Sequence, residues 1–172
     1  MNRALLLVTA AIAALLLALS AATYAGLPDV IPVHFGVNGV DRWAPKTFWS
    51  WFGLPILAIG LAAVNYLVGA LLATRPHLMN FPRKQRLLAL PVDRQQRVMR
   101  WWWVLMQTIG LVEVLIMSVA QYGIWRAVAA QVFEGRAVTT AVLVLALAIL
   151  PVTLVIIWQM SAEIERQETA GA

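Results

Sequence analysis

The sequence contains no cysteine and few charged residues. Its 172 residues include no Cys, two His and only eight acidic residues, and charged residues make up 12% of the chain. The absence of cysteine excludes a disulfide framework and thiolate chemistry. A soluble domain carries about 25% charged residues, roughly twice the share found here. The chain is instead 62% hydrophobic, with a mean hydropathy of +0.79, and this composition predicts a membrane protein.

The apolar residues are grouped in four long blocks. A helix rises 1.5 Å per residue, so a block of about 20 residues crosses a hydrocarbon layer of ~30 Å. A cleaved signal peptide is the alternative for the first block, but its apolar run exceeds the ~7 to 15 residues of a signal core. We predict an all-α integral membrane protein, one membrane domain over residues 1–172, with four transmembrane helices at about 4–25, 48–73, 101–125 and 137–160.

Lysine and arginine are distributed unevenly between the connecting segments. Basic residues near span ends are retained on the cytoplasmic side of a membrane. Residues 74–100 hold seven of the thirteen Lys and Arg residues, and Arg3 and Arg166 share their side, which gives nine against four. We therefore predict a multi-pass protein of the cell membrane with both termini in the cytoplasm. Residues 74–100 form a basic cytoplasmic loop, and residues 26–47 form an external loop.

All eight tryptophans fall near predicted span ends. Indole rings prefer the interface between headgroups and hydrocarbon, so the pattern is typical of membrane anchors rather than of ligand-stacking residues. The predicted outer set is Trp43, Trp49, Trp51 and Trp125, and the inner set is Trp101, Trp102, Trp103 and Trp158.

The basic segment 74–100 has two interpretations. We expect a helix to start near Arg94 and to run without a break into the third span. Arginines on this segment would face anionic headgroups, at ~1 kcal/mol of attraction each. Alternatively, the segment is a docking surface for a cytoplasmic regulator. Nucleic acid is not expected as a partner, because no base-reading motif accompanies the charges.

Glu113 is the only acidic residue predicted to lie inside the membrane, near the middle of the third span. An ionised carboxylate is costly there, so Glu113 must be protonated, paired or in contact with water. Asn65 in the second span is the expected hydrogen-bond partner. A structural bond across the bundle is the favoured interpretation, and a proton or solute pathway is the alternative.

The external loop contains a stretch of unusual composition, IPVHFGVNGVDRWAPK, from Ile31 to Lys46. Apolar residues at 31, 33 and 35 alternate with other residues, which indicates an extended segment whose apolar side lies on the membrane or on the bundle. Asn38 and Gly39 favour a tight turn. The stretch therefore predicts a short hairpin or hook.

Such a turn would bring His34 and Asp41 together. This pair could form a structural hydrogen bond, recognise a ligand group, or serve a metal or a catalytic step. Zinc sites generally use three or four protein ligands, and no hydroxyl nucleophile is placed beside the histidine. We predict no metal, no cofactor and no catalytic residue. The candidate ligand-binding residues are His34, Phe35, Asn38, Gly39, Asp41 and Lys46.

The same residues carry a resemblance to a known family. The pattern resembles the signature of the SdpI-like bacterial membrane proteins at Leu27, Pro28, Ile31, Pro32, His34, Phe35, Gly39 and Asp41, followed by Lys46. A shorter similarity follows the second span, at Asn80, Pro82, Lys84, Leu90 and Pro91. Together the two parts cover roughly residues 5 to 100. The family is named for an immunity protein against a secreted killing peptide.

The resemblance implies an inner-membrane protein whose external loop senses or neutralises a membrane-active agent. In the named member, binding of the toxin also lets the protein hold a cytoplasmic repressor at the membrane. The leading hypothesis is thus recognition of a membrane-active peptide or a lipid-like ligand, in an immunity or signalling role. The alternatives are a small-solute or proton transporter that uses Glu113, and a membrane enzyme that uses His34 and Asp41.

Overall fold

The computed structural model describes residues 2–36, 39–129 and 135–170. Four long helices are apolar enough to cross a membrane, so the chain is an integral, multi-pass membrane protein, as its composition predicts. A two-stranded sheet joins the first two long helices. The elements are α1 (Arg3–Tyr24), β1 (Val30–Gly36), β2 (Gly39–Pro45), α2 (Phe48–Thr74), a 3₁₀ turn (Pro76–Leu78), α3 (Lys84–Ala89), α4 (Val92–Ala129) and α5 (Gly135–Thr169).

Helix α4 is the central helix, and α1, α2 and α5 all pack against it. Small residues allow α2 and α4 to approach closely, as is typical of helices packed in a membrane. A Cβ atom added to Gly110 would lie 3.5 Å from the Cα of Ala62, and one added to Gly69 would lie 3.2 Å from the Cβ of Met106. The outward faces of α1, α2 and α5 carry exposed Leu and Val side chains, which suit contact with lipid.

The third and fourth spans are longer than predicted, and both extend towards the basic end of the bundle, where α3 lies. Helix α4 has 38 residues and α5 has 35, or roughly 57 and 52 Å at 1.5 Å per residue. Both exceed a ~30 Å hydrocarbon layer. As predicted, α4 begins close to Arg94 and runs unbroken through the third span.

Residues 74–100 were predicted to be a basic segment between the second and third spans, with a helix that starts near Arg94. The structure adds a 3₁₀ turn and α3 before that helix. The 3₁₀ turn, α3 and the start of α4 form a folded layer, which we call the basic layer (residues 76–100). Met79, Leu87 and Leu90 are buried in a cluster with the facing parts of α4 and α5. These apolar residues stand between the arginines, so the segment buries one side and exposes its charges on the other.

Several arginines of the basic layer contact α5 instead of facing only headgroups. Arg86 forms a bidentate salt bridge with Glu168, in which Nε donates to Oε1 at 2.9 Å and Nη2 donates to Oε2. Arg83 donates to Glu165, and Arg94 donates to the main-chain carbonyl of Gln167 at 2.6 Å. The extension of α5 beyond residue 160 was not predicted, and it supplies the acceptors for these arginines.

The opposite end of the bundle, which we call the hairpin end, carries the antiparallel pair of β1 and β2. The predicted hairpin is therefore confirmed. At its base, the amide of Lys46 donates to the carbonyl of Asp29 at 2.7 Å. Thr47 then caps α2, because its hydroxyl accepts from the amide of Ser50 while the Ser50 hydroxyl accepts from the amide of Thr47. This reciprocal cap fixes where the hairpin ends and the helix begins.

The tryptophan prediction is confirmed in part. Trp43, Trp49 and Trp158 are well exposed on the surface of the bundle, as membrane anchors would be. Trp51 is only 1% exposed, so the prediction that it is an anchor is wrong. Its side chain is part of the core beneath the hairpin, because α2 turns this face towards α1 and α4.

Candidate functional site at the hairpin end

The hairpin is held on the bundle by a hydrophobic cluster. Ile31 and Leu27 are buried together with Trp51, Phe52 and Ile124. Val33 packs against the same cluster, so Ile31 and Val33 face the bundle as predicted. Pro32 between them is also buried, and the side chain of Phe35 lies outside the described residues. Since the cluster joins α2, α4 and the hairpin, it fixes the position of the polar side chains on the hairpin surface.

His34 and Asp41 meet across the hairpin, as predicted. The Nδ1 atom of His34 lies 2.6 Å from Oδ1 of Asp41. The pairing register skips Val33 on β1 and Asp41 on β2, on either side of the His34–Arg42 pair. Such bulges turn the side chains next to them, and here they allow the carboxylate to reach the imidazole.

This pair is accessible from outside the protein. The side chains of His34 and Asp41 are 59% and 51% exposed. A carboxylate that engages Nδ1 orients the ring and leaves Nε2 on the other side of it. The pair therefore offers a ring nitrogen and a carboxylate oxygen to a ligand, in a geometry that exists before binding.

Lys46 was predicted to contact a ligand, and the structure gives its ammonium group partners within the protein. Its Nζ donates to the carbonyl of Leu27 at 2.8 Å and lies 5.4 Å from the centre of the Tyr24 ring. A cation over an aromatic face is attracted by the ring electrons. Lys46 thus ties the base of the hairpin to the end of α1.

Phe35 and Gly39 lie towards the far end of the two strands. Phe35 pairs with Val40, and Gly36 pairs with Gly39. The prediction for Asn38 falls outside the described residues, as does the position of the Phe35 side chain. The structure thus brings His34 and Asp41 together and places Lys46 at the base, and the ligand contacts of all six residues stay predictions.

A polar junction beneath the hairpin was missed by the sequence analysis. The indole Nε1 of Trp51 donates to the carbonyl of Ser20 at 2.8 Å. The side-chain amide of Gln121 donates to the carbonyl of Trp51 at 3.3 Å. This junction links α1, α2 and α4, and all three of its residues are at most 4% exposed.

Pro55 explains why the junction is needed. A proline inside a helix has no N–H to offer the carbonyl four residues earlier, and Pro55 lies within α2. That carbonyl belongs to Trp51, and Gln121 supplies the missing donor. The signal in the sequence was therefore the spacing of Trp51 and Pro55 together with a polar residue in a neighbouring span.

The intramembrane pair lies away from the hairpin. Nδ2 of Asn65 donates to Oε2 of Glu113 at 2.6 Å, so the predicted hydrogen bond between α2 and α4 is present. Nδ2 of Asn65 also lies 3.1 Å from the carbonyl of Leu61 in its own helix. In residues 2–36, 39–129 and 135–170, no three His, Asp or Glu side chains cluster closely enough to hold a metal ion.

The hairpin lies within the part of the chain that is similar to a known family. Residues 11–59 match the family described as Domain of unknown function (DUF1648). The matched segment begins in α1, contains the whole hairpin with its His34–Asp41 pair, and ends in α2. Comparison with curated proteins and with solved structures gave no match.

Proposed function

We propose that this protein recognises a membrane-active peptide through its hairpin, in an immunity or signalling role of the SdpI-like type. The observation that carries the proposal is the exposed His34–Asp41 pair on a hairpin that is already fixed to the bundle. A ligand that binds a fixed surface loses less free energy to ordering than one that must first organise a loop. Six of the nine residues in the first part of the family resemblance also lie on the strands of this hairpin.

The surface around the pair suits such a peptide. Membrane-active peptides combine basic side chains with apolar ones. Asp41 offers a carboxylate for a basic group, while Trp43 and Val30 on the same hairpin are 54% and 49% exposed. Tyrosine and tryptophan rings are favoured at recognition surfaces because they combine a large apolar area with a polar atom. The hairpin thus presents an acidic acceptor and exposed apolar side chains on the same two strands.

The proposal places the hairpin outside the cell and both termini in the cytoplasm. The support is the excess of lysine and arginine at the opposite end, nine residues against four, which is the sidedness that membrane insertion favours. The signalling part of the proposal would use the basic layer as the surface for a cytoplasmic regulator. Its exposed positive charge is the support for that assignment.

The test uses a host strain that produces the protein and the matching deletion strain, each challenged with a panel of membrane-active peptides. Deletion should sensitise the cells to a cognate peptide. His34→Ala and Asp41→Ala should lower protection by about tenfold to 150-fold, since a hydrogen bond to a charged group contributes roughly 1.5 to 3 kcal/mol. The readout is the inhibitory peptide concentration at equal protein levels in the membrane.

Asp29→Ala is the matched control. Asp29 is an exposed carboxylate of the same loop, and its main-chain carbonyl, which accepts from Lys46, is retained in the variant. Protection should stay unchanged. The proposal fails if survival is the same with and without the protein across the panel, or if Asp29→Ala weakens protection as much as Asp41→Ala does.

A further inference from the structure

A cavity lies between α1 and α4, directly beside the polar junction at the hairpin end. Its volume is about 310 Å³, near the lower end of the ~300 to 1,000 Å³ that is usual for small-molecule sites. The lining is almost entirely apolar and is formed mainly by Ile12, Leu15, Leu16 and Leu19 of α1 with Tyr122 and Trp125 of α4. Leu15 and Leu19 are themselves more than half exposed, so the cavity opens sideways towards lipid.

The cavity has the length of one membrane leaflet. Its lining on α1 runs from Ile12 to Thr23, a rise of roughly 16 Å. Half of a ~30 Å hydrocarbon layer is about 15 Å. Thr23 lies near the end of α1 that carries the hairpin, whereas Ile12 lies near the middle of the helix. A linear chain in this cavity would therefore run from the interface to the bilayer centre.

Two polar atoms of the lining are buried and unsatisfied. Within the part of the chain that the structure describes, Ser20 Oγ and Gln121 Oε1 have no hydrogen-bond partner, and both residues line the cavity. Ser20 is 2% exposed and Gln121 is 4% exposed. The amide of Gln121 cannot simply be turned over, because its nitrogen must face the Trp51 carbonyl. A buried acceptor without a donor is costly, so a bound group that carries a donor would be stabilising here.

We propose that this cavity binds a single-chain amphiphile taken from the surrounding leaflet. Its apolar chain lies along α1, and a hydroxyl or amide group of its head donates to the Ser20 and Gln121 oxygens. The two polar atoms lie nearer the hairpin end than Ile12, Leu15 and Leu16, so a head group at Ser20 and Gln121 would leave its apolar chain along the deeper part of α1. The site is separate from the His34–Asp41 pair and does not depend on peptide recognition.

The experiment uses the full chain in phosphatidylcholine vesicles and two photoreactive probes. One is a monoacylglycerol with a diazirine on its chain, which offers hydroxyl donors. The other is the methyl ester of the same chain, which offers none. After irradiation, the labelled peptides are identified by mass spectrometry. We expect saturable labelling of α1 and α4 along the cavity, with about a fivefold preference for the monoacylglycerol, as one net hydrogen bond of ~1 kcal/mol would give.

Two variants test separately the binding of the ligand's apolar chain and the binding of its polar head group. Leu19→Trp fills the cavity from its open side and should remove the saturable labelling. Leu17→Trp is its matched control, because Leu17 is an exposed leucine of the same helix that does not line the cavity. Ser20→Ala removes the hydroxyl but keeps the carbonyl that holds Trp51. Because Gln121 Oε1 is still present, this variant should reduce the preference for the monoacylglycerol without removing the saturable labelling.

The proposal is overturned if labelling does not saturate, if Leu19→Trp labels like Leu17→Trp, or if the unaltered protein does not distinguish the probes. It is also overturned if a membrane-active peptide, and not unlabelled monoacylglycerol, competes for the cavity. His34→Ala should leave labelling unchanged, so that failure of the hairpin proposal and failure of the cavity proposal are recorded by different variants.

Discussion

The two ends of the bundle are held by different interactions. At the hairpin end, a buried apolar cluster that includes Ile31 and Trp51 joins the hairpin to the helices. At the basic end, a larger apolar cluster is reinforced by pairs between arginines of the basic layer and acidic residues of α5. The charged side chains at the basic end thus connect separate elements, whereas His34 and Asp41 connect two strands of one hairpin.

This difference shows which polar groups are available for recognition. Arg83 and Arg86 contribute to the position of α5, so changing either residue alters the packing as well as the surface charge. The His34–Asp41 pair lies on top of a cluster that is stabilised without it. A ligand can therefore engage the pair while the hairpin keeps its place, which is why the hairpin end is the stronger candidate for a binding surface.

From this comparison, we expect Trp51 to be the largest single contributor to the stability of the hairpin end. Trp51→Ala should lower the free energy of unfolding by about 3 to 5 kcal/mol, as is usual when a buried tryptophan is truncated. The change removes apolar contacts to the hairpin and the hydrogen bond to the Ser20 carbonyl. Denaturant-induced unfolding of the purified protein in detergent measures this loss.

Trp49→Ala is the matched control for that variant. Trp49 lies two residues earlier in the same helix and is 70% exposed. Its removal should change the free energy of unfolding by less than about 0.5 kcal/mol. Equal losses for Trp49→Ala and Trp51→Ala would show that the hairpin end is not held by its buried cluster.

The sequence was sufficient for the membrane architecture and for the polar pairs that are close in sequence or strongly constrained. Four apolar blocks of sufficient length leave few other folds, because unpaired main-chain groups are too costly in lipid. His34 and Asp41 were brought together by a predicted turn only a few residues long. Glu113 and Asn65 were matched because a mid-membrane carboxylate requires a partner.

The parts that were missed depend on contacts between distant segments. Because arginine dominates the basic layer, its sequence indicates a charged loop. Its burial depends on an extension of α5 that lies 73 to 82 residues later in the chain. Trp51 reads as an anchor because its position along α2 is interfacial. Only the direction in which it points, towards α1 and α4, makes it a core residue, and the sequence pattern of one helix does not determine this.

Glu113 and Asn65 lie between the hairpin end and the basic end of the bundle. Their hydrogen bond therefore provides a third site for the comparison. Glu113→Leu should lower the free energy of unfolding by about 0.6 kcal/mol, the average for a hydrogen bond between transmembrane helices. Glu113→Gln retains a hydrogen-bonding group and should change it less. Unfolding in detergent measures both changes in the free energy of unfolding. Proton flux is measured separately, with the same proteins in vesicles. A flux that the unaltered protein supports and Glu113→Gln abolishes would instead favour the transporter alternative.

The smallest effect concerns the pairs of α5 with the basic layer. The hydrogen bond from Arg86 holds the pKa of Glu168 below its ordinary value. A carboxyl whose pKa is lowered by folding stabilises the folded state above its unfolded value of about 4.3, and this contribution disappears as the pH falls through the lower folded value. The end of α5 should therefore loosen as the pH falls through the lowered folded pKa of Glu168, while the hairpin stays in place. Spin labels at 84 and 169 should report a broader distance distribution at low pH, and Arg86→Gln should broaden it already at neutral pH.

A distribution that is independent of both pH and Arg86 would mean that the apolar cluster alone holds α5, and the contrast between the two ends would disappear.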